Sequence, residues 1–139
     1  MTHVQLAVEI NTPGRGLHEV TDHVREAVSQ SGIQAGLCVV FCMHTSCSLV
    51  ISENADPSAC QDLEAWLEKL APDGDPAYSH RAEGPDDMPA HLRAAVTQTS
   101  ETIPIVNGAA LLGRWQGLYL AEHRTAPHQR RLFLHLAGD

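Results

Sequence analysis

The sequence predicts an α+β fold with a mostly antiparallel sheet system, and three observations carry that prediction. Apolar and polar residues alternate near both ends of the chain, at Val4, Leu6, Val8 and Ile10 and again through "RRLFLHLAG", as half-buried strands require. A helical period lies between them, where Leu63, Trp66, Leu67 and Leu70 follow at i, i+3, i+4 and i+7. Asn107-Gly108 separates two short apolar runs, "TIPIV" and "AALL", and this dipeptide supplies the positive φ angles of a tight type I′ hairpin. At 139 residues the chain fits one domain, residues 1–139, with one core.

In chain order, "HVQLAVEI" is a first strand and "NTPGRG" a turn. "GLHEV" reads as a short second strand closing a hairpin on the first. Thr21 is placed to cap a helix running to about Ser31, with Val24, Ala27 and Val28 inward and Gly32 at its C-terminal end. "GLCVVFCM" is almost continuously apolar, a strand buried on both faces or at a subunit contact, and "SLVIS" is another. The "HTSC" between them allows only a tight bend or bulge. Asp56 followed by Pro57 is a strong helix start, and that helix ends before Pro72. Residues 71–89 form a long loop rich in Pro, Gly and Asp. A third helix begins near Asp87 with Leu92, Ala95 and Val96 inward. "RWQGLYLAEHR" and "RRLFLHLAG" are expected to pair through "TAPHQ", giving the order β-β-α-β-β-α-α-β-β-β-β.

The net charge of −8, with only 9 Lys and Arg, argues against a nucleic-acid binder that works by neutralising phosphates. No apolar run approaches the roughly 18–20 residues that span a bilayer, and the first residues lack the basic and apolar regions of a secretory signal. The expected setting is the cytoplasm, with Cys38, Cys42, Cys47 and Cys60 as reduced thiols.

Nine histidines focus the search for chemistry, because imidazole both transfers protons near neutrality and binds borderline metals. His3, His18 and His23 fall on exposed faces, His135 reads as structural and His128 as a solvated turn residue. That leaves His44, His80, His91 and His123. His80 and His91 flank a Gly- and Pro-containing loop, one within it and one on the first turn of a helix, so both can reach one point. A second candidate is "ENAD". Asp56 is explained as an N-cap and Asn54 by the same turn. Glu53 has no comparable structural reading, and a carboxylate there can bind a metal or a cationic group, while the helix N-terminus beside it favours phosphate. A zinc site on Cys42 and His44, with Cys38, is a further alternative without a CxxC pair to support it.

Taken together, "GLCVVFCMHTSCSLVISENADP", "YSHRAEGPDDMPAHLRA", "TIPIVNGAALLGRWQGLYLAEHR" and "RRLFLHLAG" closely resemble the YjbQ family, in order and spacing, from about Leu6 to Gly138. The resemblance implies about seven mostly antiparallel strands in two packed sheets, two to three helices and a homotrimer. It also implies a secondary thiamine-phosphate synthase activity, a transferase reaction joining thiazole phosphate to hydroxymethylpyrimidine diphosphate with release of pyrophosphate. Carried over by motif, the family's site residues are His44, the pair His80 and His91, the block Glu53, Asn54 and Asp56, then Trp115, Gln116 and Glu122. The acidic "EGPDD" departs from a pattern that often carries Asn, and Cys47 stands where a small residue is common.

Such a reaction needs a divalent metal, cations or oriented N–H groups for the leaving pyrophosphate. The expected metal set is His44, His80 and His91, holding Zn²⁺ or Mg²⁺, with imidazole favouring Zn²⁺. His44, His91, Glu53 and Glu122 are the catalytic candidates. Asn54, Asp56, Arg93, Trp115, Gln116 and Arg124 are the candidates for holding a small phosphorylated metabolite, with Arg114 as a further phosphate ligand. Two alternatives stand beside this: a trimeric module that binds such a metabolite without turnover, and a metal-dependent hydrolase with Glu53 or Glu122 as general base. His44 and Glu53–Asp56 close the two ends of one apolar run, about 25–30 Å apart if extended. They read as two half-sites that a trimer would bring together.

Overall fold

A computed structural model describes all residues, Met1–Asp139. Two antiparallel sheets enclose one core. The larger has the order β1 (Thr2–Thr12), β8 (His128–Gly138), β3 (Ala35–Cys42), β5 (Ser100–Val106) and β6 (Ala109–Ala110). The smaller has the order β2 (Gly16–Glu19), β7 (Gln116–Glu122) and β4 (Cys47–Glu53). Helices α1 (Thr21–Ser31), α2 (Pro57–Leu70) and α3 (Asp87–Val96) complete the α+β architecture.

The alternating strands put Ile10, Cys38, Val40, Ile103, Ile105, Leu132, Leu134 and Leu136 on the inner face of the large sheet. They meet Leu49, Leu118 and Leu120 from the small sheet and Val24, Ala27 and Val28 from α1, as the period of that helix predicts. Each fully buried Leu or Ile contributes about 1.5–3 kcal/mol, so this aliphatic cluster is the main source of stability. Asn107 and Gly108 have φ of 50° and 76°, and the expected turn joins β5 to β6. Gly36 on β3 faces Gly138 on β8 so closely that a Cβ on either would collide with the partner backbone.

Strand pairing differs from the sequence expectation in two places. β2 does not close a hairpin on β1 but pairs with β7, while β1 pairs along its whole length with β8. β7 and β8 do not pair through "TAPHQ" either, because that segment carries the chain from one sheet to the other. β7 is the central strand of the small sheet and is buried from Gly117 to Glu122, so its two faces are both covered and its alternation carries no pairing information.

The helices also differ in detail. Val20, not Thr21, occupies the N-cap of α1. The Thr21 hydroxyl donates to Glu19 and accepts from the Leu118 N–H, tying the helix start to β7. α2 keeps the Asp56 cap, with Ser58 N–H donating to Oδ1 at 2.9 Å, but only Leu67 is buried and Trp66 and Leu70 are exposed. On α3 the buried face carries Asp87, Ala90 and Arg93, whereas Leu92 and Val96 turn outward. β3 is buried on one face only, and Leu37 and Phe41 on the other are 50% and 46% exposed. The loop before α3 is held by Arg15 on Asp73, by Tyr78 on the Pro72 carbonyl and by Arg81 on the Pro76 and Tyr78 carbonyls. No helix is long and apolar enough to cross a membrane, and all four cysteines are free thiols.

Candidate functional site

The loop–α3 junction gathers the one cluster with the spacing of a metal centre. Asp87 and His91 lie four residues apart on α3, hence on one helix face, and the loop folds His80 against them. One oxygen, Asp87 Oδ2, lies 2.8 Å from His80 Nε2 and 3.0 Å from His91 Nε2. The three ligand atoms lie within 4.8 Å of one another.

Around this cluster the supports are fixed. Arg124 Nη1 donates to the other oxygen, Asp87 Oδ1, at 2.9 Å, and Arg124 Nε donates to Asp86 Oδ2 at 3.1 Å. Asp86 also accepts from the backbone N–H and hydroxyl of Thr125. Burial opposes the charge on Asp86, but the Thr125 N–H and Arg124 outweigh it and bring its carboxyl down to about 2. Asp87 is likewise held below its usual value, burial being overcome by the His80 hydrogen bond and by the charges of His91 and Arg124.

His91 carries the informative contact. Its Nδ1 lies 2.8 Å from the Thr45 carbonyl, so that nitrogen must bear the proton. Its Nε2 then faces a carboxylate oxygen at 3.0 Å. A neutral ring in this position points a lone pair at an anion, which is repulsive. A second proton or a cation between the two atoms resolves it. Nδ1–H on a backbone carbonyl and Nε2 turned to the ion is the usual bonding of a metal-ligating histidine.

Two grooves open beside the cluster. One, of about 350 Å³, runs past His80 along Gly74, Tyr78, Arg81 and Pro85. The other, of about 490 Å³, is walled by His91, His44, Thr45, Ala94, Ala95 and Thr99.

Of the expected metal set the structure joins His80 and His91, and Asp87 takes the place given to His44. His44 Nε2 accepts the backbone N–H of Arg131 at 2.9 Å, so that lone pair is already engaged, and His44 shares only the groove wall with His91. Burial, and then the charge of Arg130, lowers its pKa. The sequence marks Asp87 only as the start of a helix and as part of the acidic "EGPDD", although Asp87-x-x-x-His91 on a helix places two ligands on one face.

The remaining candidates stand elsewhere. Glu53 does have a structural role, since it accepts the Asp56 N–H at 3.1 Å, and Asn54 donates to Glu19. Glu122 is 1% exposed and accepts from Arg130, Thr12 and the Arg124 N–H. Arg93, also 1% exposed, donates through Nε and Nη2 to the Leu67 and Ala71 carbonyls at the end of α2 and so clamps a helix terminus, while its buried Nη1 has no partner. Arg114 stacks on Trp115 at 4.7 Å and Gln116 accepts the Gly113 N–H, a local turn. His123 is buried against Ser48 at 2.8 Å, and burial, then Arg93, pushes its pKa down to about 4. Cys38 and Cys42 lie buried in β3, and the only group of three or more His, Cys or carboxylate ligands is His80, Asp87 and His91.

Fold and cluster together define a two-sheet α+β protein with a His–Asp–His centre at a helix start. The chain belongs to the YjbQ family: the family model described as "UPF0047 protein YjbQ-like" matches residues 6–139. A UPF0047 protein of Synechocystis is 49% identical over 99% of this chain and 92% of its own length. The UPF0047 protein YjbQ of Escherichia coli O157:H7 is 35% identical over 97% of this chain and 98% of its own. Among solved structures, a conserved hypothetical protein of Thermus thermophilus superposes with a TM-score of 0.85 at 35% identity, covering 95% of this chain and 99% of that one. A Sulfolobus solfataricus protein of unknown function reaches 0.86 at 21% identity over 99% of this chain and 100% of its own, a likeness of fold.

Proposed function

We propose that this protein is a metal-dependent enzyme acting on a small oxyanion-bearing metabolite, with His80, Asp87 and His91 as its metal ligands. The contact that supports it is His91, whose two ring nitrogens both face oxygen acceptors. The two contacts to Asp87 Oδ2, 2.8 and 3.0 Å, are of hydrogen-bond length, so an ion with bonds of about 2.0–2.1 Å would need the three groups to move apart by a few tenths of an ångström. Two imidazoles and one carboxylate favour Zn²⁺ or a similar borderline ion over Mg²⁺. A divalent ion there supplies Lewis acidity toward an oxygen of the substrate. Asp87 offers one oxygen to it while Arg124 holds the other, and the Thr45 carbonyl fixes the His91 tautomer.

On this reading thiamine-phosphate synthesis is a secondary activity of a cytoplasmic protein, because Arg124, the phosphate candidate beside the cluster, is already paired with Asp86 and Asp87. The second reading, a binding module without turnover, is favoured by one observation: Glu122, one of the carboxylates considered as a base, is buried and engaged by Arg130 and Thr12. The outward face of β3, with Leu37 and Phe41, supports a homotrimer in which these residues are covered.

The test is metal analysis of protein purified without added metal and after Zn²⁺ loading, for wild type, Asp87→Asn and His91→Ala. Wild type is expected to retain Zn²⁺ and both variants to lose affinity by at least about tenfold. Equal retention by all three overturns the centre. Product formation from phosphorylated substrates by the loaded wild type separates enzyme from binding module.

A further inference from the structure

We propose that His44 is a fixed hydrogen-bond donor to an oxyanion held at the His80–Asp87–His91 centre, and not one of its metal ligands. The inference rests on the metal-centre reading and assigns the one histidine that this reading leaves over.

A backbone N–H can only donate. The Arg131 N–H reaches His44 Nε2 at 2.9 Å, so Nε2 is a bare lone pair and the proton of the neutral ring sits on Nδ1. The reason lies in the ladder. β3 pairs with β8 as far as Cys42 opposite Leu132, and the chain then turns away at Met43. The next β8 amide, that of Arg131, has lost its strand partner, and the His44 ring takes its place. Nδ1 has no acceptor within the chain and is free to serve a ligand.

His44 and His91 are locked to each other. The carbonyl of Thr45, the next residue, receives His91 Nδ1–H at 2.8 Å. Arg130 Nη2 holds the same loop through the Ser46 hydroxyl at 3.0 Å, and Arg130 itself is anchored on buried Glu122. His91 keeps Nε2 against Asp87, while His44 carries an unengaged Nδ1–H and also walls a second groove with Arg130 and Arg131. Both rings wall the groove of about 490 Å³. The other walls are Thr45, Ala94, Ala95 and Thr99, with no ionised side chain. A phosphate or carboxylate head fits this arrangement, one oxygen toward the ion and another toward His44 Nδ1–H, with an uncharged body along the alanines.

The experiment uses the full chain loaded with Co²⁺, whose absorption spectrum reports its ligands, titrated with inorganic phosphate and, separately, with acetate. Wild type, His44→Gln and His44→Asn are compared. Gln keeps an acceptor for the Arg131 N–H at the Nε2 position but places no donor at Nδ1, whereas Asn places an amide N–H there. All three are expected to bind Co²⁺ within about twofold of one another. Anion affinity should fall about tenfold or more in His44→Gln and stay within about threefold in His44→Asn, the size expected for one hydrogen bond to a charged group. The anion with the larger loss identifies the head group. Unchanged anion affinity in His44→Gln overturns the donor role while leaving the metal centre standing, as does a tenfold loss of Co²⁺ affinity in both variants, which would make His44 a ligand. Absence of Co²⁺ binding by wild type overturns the centre and this inference together, and absence of anion binding by loaded wild type overturns the oxyanion.

Discussion

Replacing Arg130 with Met is expected to destabilise the fold by about 3–5 kcal/mol, the loss found when one partner of a buried ion pair is removed. Arg130 Nε and Nη2 donate to the two oxygens of Glu122 at 2.7 and 2.6 Å, and Glu122 is 1% exposed. Met retains much of the apolar stem, so the change isolates the charge. Thr12 Oγ1 at 2.7 Å and the Arg124 N–H at 3.2 Å still reach the carboxylate, which keeps the loss from being larger. For a chain of this size the melting temperature should fall by roughly 10–20 °C.

The pH dependence gives an independent signature. In the wild type, burial opposes the charge on Glu122, but Arg130 and Thr12 outweigh it and lower the pKa from its ordinary value of 4.5. A depressed folded-state pKa contributes stability that is present above the unfolded value and lost as pH falls through the folded one. Without Arg130, burial raises the folded pKa above the unfolded one, so the deficit of the variant shrinks as pH falls toward about 4–5. Urea unfolding across this range, with Glu122→Gln/Arg130→Met alongside, reads both effects. The double variant should recover most of the loss at neutral pH. A single variant within about 1 kcal/mol of wild type, or a double variant no more stable than the single, would refute the reasoning.

Other outcomes follow from the same packing. Arg93→Met leaves the Ala71 carbonyl at the end of α2 without its donor and the Leu67 carbonyl with the Ala71 N–H alone, and should lower stability by about 1–3 kcal/mol in chemical denaturation, while a loss below about 0.5 kcal/mol would deny the clamp. If the proposed trimer meets on the uncovered face of β3, Phe41→Asp should lower the mass found in sedimentation with little change in the core, and an unchanged mass would remove that face from the proposed interface. Gly36→Ala should cost more than about 3 kcal/mol or prevent folding, because its Cβ meets the Ala137 carbonyl; a soluble variant with wild-type melting would contradict the close approach of β3 and β8.

Strands and helices were legible where local chemistry alone decides them. Val4 to Ile10 and Leu132 to Leu136 alternate because one face of each strand meets the core, and Asn107-Gly108 and Asp56-Pro57 carry their turn and cap in their own side chains. Partner choice was not legible, since alternation states which face is buried and not which strand lies beside it. The site followed the same division. His80 and His91 stood out by residue type and loop context. Glu122 and Arg93 looked equally like site residues because a sequence shows a charge and not the partner that neutralises it. His44 walls the groove beside His91, and its Nε2 accepts the Arg131 N–H, a contact that no sequence pattern shows.

The placement of β8 also sets the order in which the molecule can assemble. It is the last strand in sequence, yet it lies between β1 and β3 in the large sheet, and β1 has no other strand partner. The first strand therefore waits, its amides and apolar face unpaired, until a segment more than a hundred residues downstream arrives. Contacts of such long range close slowly. During synthesis the exposed edge of β1 is the segment most open to pairing with another chain, until β8 closes that gap.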